Sequence, residues 1–281
     1  MGGLVRGRTG HLGLGTETAL ASTSDDDLKA FHAGAFVPSG ATVVIAGDAE
    51  PSELFAVIEE CFGAWETPSD APAINRLAGL EAPPLVPAHR LAVVVRAGAA
   101  QSELRIGHIC ASRDTPDYHA LLVLNMVLGG QFVSRINMNL REDKGYTYGA
   151  RTSFEFRRGP GPFVLHASVQ SEATADAIAE ALLELRGIRG PRPVTRAELE
   201  TGRAALTRGY PRNFETAEQV SRAAAQLALH GLPDDHFTTF VPRILAVDEA
   251  EIMRVAALHI DPDRLVTVIV GDRSTVAPTL D

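Results

Sequence analysis

The chain is predicted to be an α+β protein made of two copies of one module, an antiparallel-rich sheet packed with helices, the first copy truncated. Three observations carry this. Short apolar runs closed by Gly-Asp occur twice, at residues 41–46 and 265–270. Each run is preceded by an amphipathic helix pattern with an acidic or hydroxyl N-cap and then, between helix and run, by a proline. A gapless offset of 224 residues superimposes the two: Ser24 on Asp248, Asp27 on Glu251, Leu28 on Ile252, Phe31 on Val255, Phe36 on Ile260, Pro38 on Pro262, and Gly47-Asp48 on Gly271-Asp272.

In chain order, residues 1–22 are rich in Gly, Ser and Thr without periodicity and are predicted to be loop. Ser24 with Asp27 forms a capping box for a helix whose Leu28, Phe31 and Ala35 share one face, the Asp25–Asp27 run being first-turn charge. After Pro38 comes a short buried strand at 41–46. A helix over 51–62 follows, with Leu54, Val57, Ile58 and Cys61 facing inward.

Five of the 17 prolines fall within residues 66–90, which favours an extended connection. The expected organisation is therefore a remnant of the first module over 1–65, a Pro-rich linker over 66–90, and a complete second module over 91–281. In that module, strands are predicted at 91–97 and 103–110. Thr115-Pro116 opens a helix that runs to Leu128, apolar on nearly every side and hence central; Gly129-Gly130 stops it. A short helix over 134–144 has Ser134 as N-cap and Lys144 in its last turn. Gly145 suits the left-handed residue beyond it.

A hairpin over 147–156 and 163–169 turns at Arg158-Gly159-Pro160-Gly161. Helices follow at 172–186, after the capping boxes Thr195/Glu198 and Thr216/Gln219, and over 234–245 and 249–259. The repeated strand then closes the module.

The copies are unequal. The second spans 182 residues from Leu91 to Asp272 and the first only 48 up to Asp48, a difference of about 134 residues at the N-terminal side of the first copy. A strand and helix without most of their sheet leave apolar surface uncovered, so a partner chain or a longer precursor is expected over them.

Bulk properties narrow the function. With 281 residues, 45% hydrophobic and 22% charged, the chain can bury a substantial core. A net charge of −9 and the lack of a basic cluster argue against nucleic acid or an anionic membrane. No apolar run has the length of a signal sequence or a membrane span, which makes the cytoplasm the default compartment and leaves the periplasm open. Heavy use of Ala, Gly and Arg points to a GC-rich bacterial genome. Cys61 and Cys110 have no metal-type spacing and read as small core residues. The glycine-rich spots lack the lysine and the strand–loop–helix context of a phosphate loop, and Ser134 and Ser171 read as caps rather than nucleophiles.

The most informative stretch is 128–150, LGGQFVSRINMNLREDKGYTYGA. It sets Arg141 seven residues before Tyr148 across a helix-to-strand junction, with Tyr146, Tyr148 and Ala150 expected on one strand face. By residue type alone, Arg141 pairing with a surface carboxylate and Tyr148 as a half-buried strand aromatic fit as well as a site does.

The LRExxGYxY pattern with its upstream Gly-Gly, the 101–108 strand, LHGLP at 229–233 and the two Gly-Asp strands resemble the pitrilysin/insulinase family of zinc metallopeptidases, which includes the mitochondrial processing peptidases. The resemblance runs from about Gly10 to Asp272. It implies two similar α+β halves around a peptide-binding chamber. The first half carries an HxxEH zinc motif and the second supplies an Arg and a Tyr. On that reading Tyr148 would hydrogen-bond the oxyanion and Arg141 would orient the substrate, with Gly129, Gly130, Phe132 and Ser134 binding peptide beside them.

The departure from the family lies in the metal. No two of the nine histidines stand in HxxEH spacing. No cofactor is therefore expected on this chain. By the resemblance, zinc is expected on a partner chain or on a missing N-terminal segment. The expected function is the noncatalytic half or subunit of such a peptidase, binding peptide and completing a site in trans. The alternatives are an inactive assembly subunit or a fragment of a longer peptidase.

Overall fold

A computed structural model describes residues 14–68 and 88–277. The chain forms two compact units, one of residues 1–79 with 211–233 and the other of residues 80–210 with 234–281.

In the first unit, α1 (Glu17–Ser22) is capped by Thr16 and α2 (Asp25–Ala35) by the Ser24/Asp27 box. The 3-10 turn Pro38–Gly40 leads through extended Ala41 to chain without regular structure over 42–46, and α3 (Pro51–Phe62) follows with Pro51 at its first position. Residues 41–46 join no ladder among the described residues, a correction to the buried strand expected there. An extended segment becomes a strand only when a neighbour satisfies its N–H and C=O groups. The inward faces expected for the two helices also need correcting: Leu28, Phe31, Val57 and Cys61 are exposed, and only Leu54 and Ile58 of α3 are half-buried. Most of the 66–90 stretch lies outside the described residues. The Thr216/Gln219 box forms as expected and starts a further helix over 217–230, in the same unit, which ends on left-handed Gly231.

The second unit is built on a five-stranded sheet. Its strands are β1 (Arg90–Val95), β2 (Gln101–Ile109), β3 (Thr147–Phe154), β4 (Pro162–Gln170) and β5 (Val266–Gly271), in the order β1-β5-β2-β4-β3. Only the β1–β5 pair is parallel. One face presents Ser102, Leu104 and Ile106 from β2, Phe163, Leu165 and Ala167 from β4, and Thr267 and Ile269 from β5, all buried. The other face carries Glu103, Arg105, His166 and Arg151, as the period of two demands.

The central helix is α4 (Tyr118–Leu128), with six buried apolar residues, as its all-round apolar pattern requires. It begins at Tyr118 rather than at Pro116, because Thr115 to Asp117 forms a turn. The short helix α5 (Arg135–Asn137) comes next, then α6 (Thr174–Gly187) and α7 (Arg196–Thr207). Counting the 217–230 helix as α8, the last long ones are α9 (His236–Ala246) and α10 (Glu249–His259). Around α4 pack α7, α9, α10 and β3.

Polar ties fix α10 against α4. Asp117 at the α4 N-terminus accepts from His259 Nε2 at 2.6 Å and from Arg254. Burial pushes the Asp117 carboxyl up, but these two donors outweigh it and hold it below the usual carboxylate range.

The repeat is structural as well as sequential. Both α2 and α10 have 11 residues, and the 224-residue offset carries the bounds of one onto the other. The same offset carries Pro38–Gly40 onto the 3-10 turn Pro262–Arg264, and residues 42–47 onto β5.

Candidate functional site

The candidate site is built between the end of α4 and the start of β3. Gly129 and Gly130 end α4, and both N–H groups donate to the Asn125 carbonyl, at 2.9 and 2.7 Å. Both need to be small. A Cβ on Gly129 would come within 2.4 Å of the Thr152 amide nitrogen, and one on Gly130 within 2.7 Å of Asn125 Nδ2. Thr152 N–H donates back to the Gly129 carbonyl at 3.1 Å, and its hydroxyl donates to Asn125 Oδ1 at 2.9 Å. The glycine pair thus lets β3 lie directly against the α4 terminus. Beyond it, the loop turns Phe132 and Val133 outward while Ser134 is buried, its hydroxyl lacking a partner among the described residues.

The helix expected over 134–144 is corrected in kind. Ser134 stands at the N-cap but makes no capping bond; α5 is a single turn, and Met138–Asp143 is a π-helix. Lys144 N–H donates five residues back to the Asn139 carbonyl at 3.0 Å, and Tyr146 N–H six residues back to Leu140 at 2.9 Å. The wider turn accommodates side chains drawn in several directions: Ile136 and Leu140 enter the core, Asn137 reaches toward β3, and Asn139 donates to Glu180 and Glu184 of α6. Such segments favour neither regular i→i+4 bonding nor a sequence signature. Gly145 does take the left-handed conformation expected of it, at φ 67°.

Arg141 sits in this π-helix. Its guanidinium carbon lies 4.6 Å from the Phe132 ring centroid, a cation–π contact, and its Nε is 3.3 Å from Glu142 Oε1. Tyr148 lies in a β-bulge: the β3–β4 register jumps between Thr147 and Ala150. Thr147 donates its hydroxyl to the Ser168 carbonyl at 2.6 Å and accepts the Gly149 N–H at 3.1 Å, which holds the bulge shut. The alternation expected of Tyr146, Tyr148 and Ala150 is therefore broken. Ala150 is buried whereas Tyr148 is 88% exposed, its hydroxyl unpartnered among the described residues.

Sequence reasoning missed the residue that couples these parts. Buried Asn137 donates from Nδ2 to the Phe132 carbonyl at 2.7 Å and accepts the Ala150 N–H on Oδ1 at 3.1 Å, tying the Phe132 loop to the strand that carries Tyr148. An Asn between Ile136 and Leu140, in a helix interior it disfavours, was the available signal. Arg135 adds a second anchor. It binds Glu198 of α7 through Nε and a terminal nitrogen at 2.6 and 2.8 Å, and the carbonyls of Arg192 and Pro193. Burial pushes the Glu198 carboxyl up, but Arg135 and the Thr195 cap bring it down to about 2.

Among the described residues, no group of three or more His, Cys, Asp or Glu side chains could hold a metal ion. The histidines fit other roles: His259 serves Asp117, His108 Nε2 accepts the Asp261 N–H, and His236 Nε2 lies 3.1 Å from Arg113. Cys110 is half-buried with its thiol pushed up to about 11 by desolvation, the wrong direction for a metal-ligating thiolate. No described helix is long and apolar enough to cross a membrane.

Comparison with known proteins adds three findings. The profile of the peptidase M16 inactive domain matches residues 22–206. The uncharacterized zinc protease YmxG of Bacillus subtilis is 27% identical over 176 residues, 62% of this chain and 41% of that protein. Among solved structures, the peptidase M16 inactive domain from Pseudomonas fluorescens superimposes with a TM-score of 0.82 at 22% identity, covering 94% of this chain and 61% of the other. A chain of complex III2 from Candida albicans reaches 0.73 at 13% identity over 98% and 66%. The chain spans about half the length of the curated relatives it matches.

Proposed function

This chain belongs to the peptidase M16 family, matched through its inactive domain, and we propose that it is the noncatalytic half of a zinc peptidase, completing an active site whose HxxEH motif lies on another segment or a partner chain. The observation that carries this reading is Tyr148: a phenol thrust outward by a bulge whose backbone is tied down on both sides by Thr147 and Asn137. A large exposed aromatic with an unpartnered hydroxyl on a rigid mount is poorly explained by stability alone. It is suited to donating to an oxygen that becomes negative during peptide hydrolysis, since a pre-aimed donor needs no reorganisation as charge develops. Arg141 supplies fixed positive charge and orients the peptide carbonyls, its guanidinium braced on Phe132. Phe132 offers an apolar surface for a substrate side chain. Gly129, Gly130 and Ser134 shape the adjoining peptide-binding loop.

The test uses the assembled peptidase, isolated with the polypeptide that bears the zinc motif and assayed on a fluorogenic peptide. Tyr148→Phe is expected to lower kcat by about 10²-fold or more, the usual effect of removing one oxyanion donor. Arg141→Ala is expected to lower kcat/KM with unchanged thermal unfolding. Unchanged turnover in both variants would remove the active-site role. The likeness to a complex III2 chain favours the second reading, an inactive assembly subunit, and that result would select it.

A further inference from the structure

The guanidinium of Arg113, in the loop between β2 and α4, is fixed in place without a counterion. Its carbon lies 3.5 Å from the centroid of the Tyr118 ring, and a terminal nitrogen lies 3.1 Å from His236 Nε2. Burial pushes its pKa down, the sign of a charge partly withdrawn from water. A charge so placed ordinarily has an acid beside it. Arg135 has Glu198 and Arg254 has Asp117, but no carboxylate pairs with Arg113 among the described residues. The neighbouring acids are engaged elsewhere: Asp114 accepts from the Ser112 hydroxyl, Asp117 from Arg254 and His259, and Glu155 from Arg157, whose carbonyl takes the Arg113 N–H.

Two further groups of the same sign stand beside it. His119, in the first turn of α4, has its ring 6.4 Å from that of His236 and 5.7 Å from that of Phe240. Its Nε2 is buried and has no partner among the described residues. Exposed Arg243 follows His236 and Phe240 at helical spacing on α9. Burial, and then Arg243, His236 and Arg113, push the His119 imidazole down to about 4, and no acid opposes them; exposed Asp235 favours the charged form of His236 alone. A water molecule would satisfy Nε2 but leave this excess of positive charge as it is.

We propose that Arg113, His119 and Arg243 bind a free tetrahedral dianion of the inorganic phosphate class, with Tyr118 and His236 holding Arg113 in position. Guanidinium groups are donors only, in a fork that matches an oxyanion, and such a ligand only accepts. Two permanent guanidinium charges are balanced by a dianion, whereas one carboxylate would balance only one of them. The bound dianion also reverses the field at His119, so the imidazole gains a proton and donates Nε2–H to the ligand; binding and protonation strengthen each other. The place is separate from Arg141 and Tyr148: it adjoins the first turn of α4, whose 11 residues set about 16 Å of helix before Gly129.

Sodium sulfate is the probe, because it stays dianionic between pH 4 and 7, and the 281-residue chain is the sample. At pH 7, about 10 mM sulfate should raise the Tm by about 2 °C or more over sodium chloride of equal ionic strength. The ring resonance of His119, identified by its loss in His119→Gln, should titrate near 4 in chloride and above about 5 in sulfate. Arg243→Gln should leave the Tm in chloride unchanged and remove both responses. Arg273→Gln, which removes the same charge beyond β5, should keep both, since general stabilisation by sulfate acts on the two variants alike. A response matched by chloride would be mere screening, one retained in Arg243→Gln would lie elsewhere, and one equalled by sodium acetate would belong to a carboxylate. Each of these overturns the proposal, as does a His119 titration that sulfate leaves in place. No readout involves turnover, so the outcome is independent of Arg141 and Tyr148.

Discussion

The same fold fragment occurs twice in this chain with opposite fates. In α10, Ile252 and Val255 are fully buried; in α2, Leu28 and Phe31 at the same positions are 59% and 58% exposed. Caps, helix length and following turn are alike. What differs is the company: α10 packs on α4, and β5 lies between two strands. Local signals such as caps and periodicity therefore form the element, while burial of its apolar face depends on residues far away in sequence. Each aliphatic side chain that is covered contributes about 1.5–3 kcal/mol, so the first copy leaves several kcal/mol of stabilisation unrealised among the described residues.

The sharpest way to break this comparison is paired truncation. Ile252→Ala should destabilise the chain by about 2–5 kcal/mol in urea unfolding, whereas Leu28→Ala should stay within about 0.5 kcal/mol. Equal losses would mean that the first copy is already covered. Next in size is the tie that holds α10 to α4. Asp117→Ala leaves His259 and half-exposed Arg254 without their carboxylate and should cost about 1–3 kcal/mol by the same measurement.

A pH series sharpens the contrast further. Glu198 falls to about 2 in the folded chain, below the unfolded value, so its contribution is fully present above about pH 4.5 and is lost as pH falls toward 2. Discounted for partial solvent access, that is about 2 kcal/mol. Glu198→Gln should flatten the acid limb of a stability–pH curve by that amount. Asn137→Ala removes the acceptor of the Ala150 N–H and the donor to the Phe132 carbonyl, at a cost of about 1–3 kcal/mol. On the role proposed for Tyr148, it should also lower turnover by the assembled peptidase. Smallest of all, Tyr148→Phe should change stability by less than about 0.5 kcal/mol, because its hydroxyl has no partner among the described residues.

Most of the helices were legible because their signals are local. The boxes at Ser24, Thr195 and Thr216 each form as written, and Gly145 and Gly231 stop their elements in left-handed conformations. The candidate site was only partly legible. Arg141 and Tyr148 stood out through a pattern, but the π-helix, the bulge and Asn137 did not. They arise from bonds to Phe132, Ala150, Ser168 and the α6 carboxylates, which no short window of sequence contains.

By itself, then, the sequence determined where the helices capped by Ser24, Thr195 and Thr216 begin, which residues repeat at an offset of 224, and that a guanidinium and a phenol flank a helix-to-strand junction. Tertiary structure alone decided that β5 is a paired middle strand while residues 42–47 join no ladder among the described residues, and that Tyr148 faces outward while Ala150 is buried. The physical reason is the range of the interactions. Capping and φ preferences act within a few residues, whereas strand pairing and burial are settled by whichever distant segments arrive to satisfy them.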